Sequence, residues 1–284
     1  MGCVPSAEDT TLGRVELFAD ADRPGGWLLT VDRIRQSYVD LDDPTYLDFE
    51  YMQSFADVVD ALPPGPLGVT HIGGGALTFA RYVAATRPGS PQIVLEPDSA
   101  LTALVRSRLP LPPRSGIRIR PVDGRAGVVA LRDGAADVLV LDAFLGGRVP
   151  SELTTVEFFA EVARVLKPPG VLLANVADGP PLYYLRRLVA AVRSNLPQTV
   201  ATADPAVLKG RRFGNVVVAA SRDGLPLDAL RRSAASAPFP RSVIANFGRG
   251  AEPLTDGHSV RSPQPPDEIW RIPDWHDEPD WHDE

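Results

Sequence analysis

The run Val69-Thr70-His71-Ile72, passing into Gly73-Gly74-Gly75, constrains the fold of this chain more than any other stretch. A helical run follows from Leu77, and a second apolar run, Ile93-Val94-Leu95, closes on Glu96. Strand, tight turn, helix, strand is the opening unit of a nucleotide-binding α/β sheet. Glycines let the chain leave the first strand sharply and let a ligand approach the backbone, because a Cβ would obstruct both. The amides at the start of the helix are expected to stay free. Glu96, at the carboxyl tip of the second strand, is placed to accept both hydroxyl hydrogens of a ribose.

The same alternation continues downstream. Strands are expected at Leu67 to Ile72, Gln92 to Glu96, Gly116 to Val122, Asp137 to Asp142, Gly170 to Val176 and Asn215 to Ala220. Helices fall between most of them, at Leu77 to Ala85, Ser99 to Arg108, Thr155 to Lys167 and Leu182 to Leu196. Thr154 and Glu157 read as a capping box for the Thr155 helix, which Lys167-Pro168-Pro169-Gly170 ends. This pattern predicts an α/β chain with a mostly parallel sheet covered on both faces. Ahead of it, two or three short strands between Val15 and Val39 read as a small antiparallel lid of β-hairpins, and apolar spacing over Tyr46 to Leu62 predicts a connecting helix. The divisions are therefore a loose leader (1–12), lid and helix (13–62), a Rossmann-like nucleoside-binding domain (63–222), an irregular extension (223–270) and an acidic disordered tail (271–284). That tail repeats Pro273-Asp274-Trp275-His276-Asp277-Glu278 as residues 279–284.

Composition narrows the partners. A net charge of -7 gives neither nucleic acid nor an anionic membrane surface an average attraction, and no nucleic-acid or membrane partner is expected. A single cysteine, Cys3, forbids an intrachain disulfide and fits a reducing, cytoplasmic compartment. No apolar run reaches membrane-spanning length. No metal is expected, although His276, His282 and their acidic neighbours are the nearest thing to a ligand cluster.

Ligands of such sheets bind beyond the carboxyl ends of the strands, so the residues there carry the functional reading. They are Gly73 to Gly75 after the first strand, Glu96 and Asp98 after the second, Asp123-Gly124 after the third, Asp142 after the fourth, and Asn175 with Asp178 after the fifth. So many carboxylates suit a ligand with hydroxyls, an exocyclic amine and a positive centre, and suit phosphates badly. No Walker-type Gly-Lys-Ser/Thr follows the glycines. S-adenosylmethionine (SAM) or its decarboxylated form answers that description, with the ribose on Glu96, the adenine amine on Asp123 and the sulfonium near Asp142. Asp142 ends the apolar run Val138-Leu139-Val140-Leu141, where a carboxylate is costly unless it meets solvent or a ligand.

From about Val15 to Ala220 the chain resembles the spermidine synthases, which transfer an aminopropyl group from decarboxylated SAM to an amine. Val31-Asp32-Arg33-Ile34-Arg35-Gln36 is similar to that family's Leu-Asp-Gly-x-x-Gln segment, and Phe49-Glu50-Tyr51-Met52 stands where it has Tyr-His-Glu-Met. Ile72 to Gly75, Glu96-Pro97-Asp98, Asp123-Gly124, Asp142 and Leu166 to Gly170 carry the rest. The resemblance implies a Rossmann-like SAM-dependent methyltransferase fold with an N-terminal β-hairpin lid. It also implies a nucleoside site lined by Gln36, Gly74, Glu96, Asp123 and Asp142, and a homodimer.

The departures bear on chemistry. The family's triple glycine is followed by Asp-Gly, whose Asp holds the ammonium of the aminopropyl group; here Ala76-Leu77 stand instead. The family's Asp-x-x-Asp-Pro loop carries the base for the attacking amine as its second Asp; here it reads Asp142-Ala143-Phe144-Leu145-Gly146. The expected function is a spermidine synthase-like transferase that alkylates a small amine, a polyamine or another, using SAM or decarboxylated SAM, with Asp142 as the catalytic residue. A SAM-dependent methyltransferase and a binding or assembly module without turnover are the alternatives.

Overall fold

The computed structural model describes residues 6–266, 271 and 272. Cys3 and the repeated hexapeptides, with their histidines, lie outside the described residues.

Val69–Ile72 (β5) is buried at all four positions and pairs in parallel with Gln92–Leu95 (β6) on one side and Ala136–Leu141 (β8) on the other. A strand covered on both faces needs an unbroken apolar run, and β5, β6 and β8 each have one with few interruptions. Ile117–Arg120 (β7) extends the sheet beyond β6, and Leu166–Asp178 (β9) extends it beyond β8. The remaining strands, Gly214–Ser221 (β11), Gln198–Ala203 (β10) and Ser242–Ala245 (β12), run antiparallel, so the order is β12-β10-β11-β9-β8-β5-β6-β7.

Alternate residues of these strands feed two cores. Ile72, Leu139, Leu141, Leu172 and Ala174 pack with Phe158, Phe159, Leu185 and Leu188 of Val156–Val165 (α5) and Tyr183–Arg193 (α6). On the opposite face Val69, Val138, Val140 and Leu173 meet Phe55 of Glu50–Asp60 (α1), Phe79 of Thr78–Thr86 (α2) and Leu230 of Leu227–Ser236 (α8). Phe55 and Phe79 cross edge-on with centroids 5.3 Å apart.

The expected lid is a four-stranded antiparallel sheet: Ser6–Thr10 (β1), Gly13–Ala19 (β2), Gly26–Val31 (β3) and Ile34–Asp40 (β4). Residues 6–10 were read as leader; they pair with β2. Val15, Leu17, Leu29 and Val39 form a third apolar cluster with Ala76, Leu77 and Ala80, and with Leu101 and Leu104 of Ser99–Arg108 (α3). Burial of these side chains fixes the lid onto the rim of the main sheet, at roughly 1.5–3 kcal/mol for each fully buried aliphatic side chain.

Three details differ from the sequence reading. The cap of α5 is Thr155, whose Oγ1 accepts from the Phe158 amide at 3.3 Å, because the turn Ser151–Leu153 already engages Thr154. Glu157 accepts from the Asp256 amide instead of closing a capping box. Strand β9 begins before Pro168-Pro169; its pairing with β8 breaks between Ala136 and Val138, and the prolines occupy that irregularity, where no ladder donor is required. The segment read as irregular after 222 contains α8 and β12, the latter adding to the sheet edge.

Farther along, that segment fastens to other parts of the chain. The Val156 amide donates to Leu254 O, Asp256 receives Thr155 and Arg125, and Ser262 Oγ accepts the Val149 amide. The Ile272 amide then donates to Arg33 O in the β3–β4 turn. Among the described residues no helix is long and apolar enough to cross a membrane.

Asp98 joins lid to core. Its Oδ1 caps α3 by accepting the Leu101 amide at 2.8 Å, and its Oδ2 accepts the Thr11 hydroxyl at 2.7 Å and the Leu12 amide at 3.1 Å. Burial works against its charge, but these donors outweigh it and hold the carboxyl below its ordinary range. A depressed folded-state value means stability present at neutral pH and lost as pH falls through and below that range. Urea unfolding at about pH 6 and about pH 3 should therefore show a larger acid loss for the parent than for Asp98→Asn, and Asp98→Ala should cost about 1–2 kcal/mol at neutral pH. Equal acid losses would remove Asp98 from this role.

Candidate active site

The strand order reverses at β5, since β6 and β7 lie to one side of it and β8 to the other. Open α/β sheets bind ligands at that crevice. Here the crevice is the floor of a cavity of about 530 Å³ whose roof is the lid. The glycine turn forms one wall, and its shape is dictated by close approaches. Gly73 has φ of +95°, and a Cβ there would stand 2.1 Å from the carbonyl oxygen of Asp142. At Gly75, φ is +47°, and a Cβ would stand 2.3 Å from Ser37 Oγ of the lid. Any side chain at either position would push the turn off its neighbours.

The turn amides are engaged within the protein. Gly73 N–H donates to Leu95 O, Gly74 N–H to Glu96 Oε2 at 2.8 Å, Ala76 N–H to Ser37 Oγ at 3.2 Å and Leu77 N–H to Gly74 O. With its donors engaged internally the turn offers little to a phosphate and instead orients a carboxylate. Glu96 is buried, and its second oxygen accepts the Asp98 amide at 2.9 Å. The Gly75 amide adds a third backbone donor, and a carboxylate so oriented is an acceptor for hydroxyl groups. Burial raises the Glu96 carboxyl above its usual range while the Asp98 and Gly74 amides pull it back.

Asp142 follows the last residue of β8. Its Oδ2 accepts the Tyr51 hydroxyl at 3.0 Å and its Oδ1 accepts Asn175 Nδ2 at 3.0 Å. Burial pushes the Asp142 carboxyl up, against the lowering effect of both donors. Tyr51 is pushed well above the usual phenol range by burial and then by the Asp142 charge, so it stays a donor. His71, on β5 beneath, is lowered to about 4 by burial and is neutral at pH 7, its Nε2 lying 2.8 Å from Gln92 Oε1.

Of the residues singled out from sequence, Gln36, Gly73, Gly74, Gly75, Glu96, Asp123, Gly124 and Asp142 line this one cavity. Asp123 also caps Gly124–Val129 (α4), accepting the Ala126 amide at 3.0 Å, and remains exposed. Gly124 sits so close to β5 that a Cβ would meet Ile72 Cγ2 at 2.4 Å. Asp98 is not among the lining residues, because its carboxylate faces the lid and α3. Asp178 is likewise turned inward, receiving the Gly179 and Leu185 amides at the start of α6. Ser37, Asn215 and Arg241 line the cavity as well and were not singled out. Asn215 opens an apolar strand run, a position where a polar residue reads as punctuation; Arg241, between Pro240 and Ser242, has no pattern around it.

The two departures are visible in place. Leu77 takes a left-handed backbone, φ +63°, where glycine would be unstrained; its side chain is buried in the lid cluster. Leu145 lies on the cavity rim and is 57% exposed, in a tight loop closed by hydrogen bonds with Arg148. Among the described residues no group of His, Cys, Asp or Glu is arranged to hold a metal.

No protein-family model matches the chain. The polyamine aminopropyltransferase of Chromobacterium violaceum is 28% identical over 205 residues, which cover 70% of this chain and 74% of that protein. A probable spermidine synthase from Corynebacterium glutamicum is 30% identical; the match covers 93% of this chain and all of that one, with a TM-score of 0.82. A spermidine synthase solved with the transition state analogue AdoDATO is 16% identical, with coverage of 89% and 81% and a TM-score of 0.57, a likeness that bears on the fold alone.

Replacing Tyr51 by Phe removes one of the two donors that lower the Asp142 carboxyl. Carbon-13 titration of the Asp142 carboxyl in Tyr51→Phe should show it displaced further upward than in the parent, and a downward displacement would contradict the hydrogen bond.

Proposed function

The chain belongs to the spermidine synthase-like family, and on that premise we propose that it alkylates a small amine with an S-adenosyl nucleotide bound between the glycine turn and the lid. The observation that carries this reading is the meeting of Glu96 and Asp142 across Gly73 in one lidded cavity. Glu96, oriented by the turn amides, takes the two ribose hydroxyls. Asp123 takes the adenine amine, and the Gly73–Gly75 backbone with Gln36 shapes the nucleoside wall.

The sulfonium then lies near Asp142. The acceptor nitrogen attacks the carbon attached to sulfur, the carbon–sulfur bond breaks toward the neutral thioether, and the amine gives up a proton. The sulfonium is already an activated leaving group, so the protein's work is alignment and proton removal. Asp142 is the carboxylate beside the reacting atoms. Its raised basicity suits it to receive that proton, while Tyr51 and Asn175 hold it in one orientation. Leu145, in the place of the family's base, contributes nothing to proton transfer, and a positioned base is worth about 10²- to 10⁴-fold.

The donor is an S-adenosyl nucleotide, and its side chain is read from Ala76 and Leu77. Both are buried and apolar, so neither position supplies a carboxylate to select the ammonium of decarboxylated SAM or to repel the carboxylate of SAM. That observation favours a second reading, a methyltransferase on the same site with SAM as donor.

Calorimetry with methylthioadenosine tests the nucleoside assignment. Glu96→Ala should weaken binding by about 1.5–3 kcal/mol, the range for hydrogen bonds to a charged group; an unchanged affinity would remove Glu96 from the ribose. Leu145→Asp should speed aminopropyl transfer by roughly 10²-fold or more if decarboxylated SAM is the donor, read as product formed per unit time by mass spectrometry. No acceleration with decarboxylated SAM, together with methyl transfer from SAM, would establish the second reading instead.

A further inference from the structure

Beyond Asp142 the cavity continues as a trough across the carboxyl ends of β9 and β10 and the amino ends of β11 and β12, on the side covered by α1. Register places Asn175 opposite Val217 and Asn215 opposite Ala177, so both asparagines project from the same face of the sheet. On α1, Tyr51 and Ser54 are three residues apart and share one side of the helix, about one turn from each other. Tyr51 reaches Asp142, and Ser54 Oγ lies 3.3 Å from Nη1 of Arg241, which arrives from just ahead of β12. The two ends of the trough are thus a carboxylate at Asp142 and a guanidinium at Arg241.

Three polar atoms along this trough are buried without a hydrogen-bond partner. Two are acceptors, Asn175 Oδ1 and Asn215 Oδ1, and one is a donor, Arg241 Nε. The Asn175 amide is oriented by its Nδ2 donating to the Asp142 carboxylate, which leaves its oxygen as the free atom. Each such buried group carries a desolvation cost until something completes it. Amide oxygens are completed by the N–H groups of an amine. A guanidinium N–H is completed by an anion, and the Nε edge of arginine is one of the faces that matches a carboxylate.

Nη1 of Arg241 is already paired with Asp57 Oδ2 at 3.0 Å, and the Arg241 side chain is only 6% exposed. Asp204, which also lines the cavity, is paired with Arg212 at 3.1 Å and caps Pro205–Leu208 (α7). A second ammonium reaching the far end would therefore meet a guanidinium with its counter-charge already engaged.

We propose that the acceptor is an amine bearing a carboxylate at its other end, an ω-amino acid, with its nitrogen at Asp142 and Asn175 and its carboxylate on Arg241. The assignment rests on the reading of the cavity as an amine-alkylating site. A diamine of matched length would bring a second ammonium against the guanidinium, where like charges repel.

The test is calorimetry on the full chain with methylthioadenosine present, comparing γ-aminobutyrate with putrescine and δ-aminovalerate with cadaverine. The ω-amino acids should bind roughly tenfold tighter or more than their diamine counterparts. Arg241→Gln should erase that preference while methylthioadenosine affinity stays within about twofold of the parent. Because that variant leaves Asp57 without its partner, Arg241→Lys is read beside it. It keeps the charge but loses the planar fork, and should weaken ω-amino acid binding several-fold. Tighter binding of the diamines, no binding of either acceptor beside bound methylthioadenosine, or a preference that survives both substitutions would overturn the proposal and leave the nucleoside reading standing. Failure of methylthioadenosine itself to bind would instead strike the reading underneath it.

Discussion

The contact between the Gly73 backbone and the Asp142 carbonyl is the constraint on which the site depends. Parallel strands β5 and β8 end side by side, and only a residue without a Cβ lets the chain leave β5 toward its helix without displacing the end of β8. That one approach sets the position of Asp142, the direction of α2 and the line along which Gly74 meets Glu96. The amide hydrogen bonds then convert a loose turn into a mount for a carboxylate. Glu96 is held by the turn on one oxygen and by the start of the α3 segment on the other. Such a group reaches a ligand already oriented, so little freedom remains to be lost on binding.

Much of this was legible in the sequence, for identifiable reasons. The parallel half of the sheet is buried on both faces, and burial on both faces writes continuous apolar runs between glycine and proline boundaries. Gly73, Glu96 and Asp142 each sit at the end of such a run, which is why they could be placed before any coordinates existed. The antiparallel half is written more faintly. Gln198–Ala203 mixes threonine with small apolar residues in no fixed alternation, and Ser242–Ala245 is a four-residue edge strand, so neither shows a strong period. Asp98 was misread for a different reason: a carboxylate after a strand can serve the ligand or the next helix, and Asp98-Ser99-Ala100-Leu101 is also an N-cap signature. The acceptor side was not legible at all. Arg241 acquires its meaning from α1, nearly two hundred residues earlier in the chain, through Ser54 and Asp57.

The substitutions that set this chain apart from its family fall into two coherent groups. Ala76 and Leu77 extend the apolar cluster beneath the lid, and the packing of Leu77 there offsets its unusual backbone. Leu145 at the rim leaves Asp142, which accepts a hydrogen bond from Tyr51 of α1, as the carboxylate of this loop. The first change adds apolar surface beside the glycine turn; the second puts an aliphatic side chain at the cavity rim. Neither disturbs the glycine turn, so the nucleoside mount and the chemistry beside it can vary independently.

The stretch from Leu254 to Ile272 gives the mouth of the cavity an unusual dependence on synthesis order. It ties the Gly146–Val149 loop through Ser262 and Gln264, and the β3–β4 turn through Ile272. Both of these rim elements emerge from the ribosome well before the segment that secures them. The entrance is consequently framed later than the sheet and lid it opens between, and a nascent chain can hold a folded sheet and a seated lid while its doorway is still unframed.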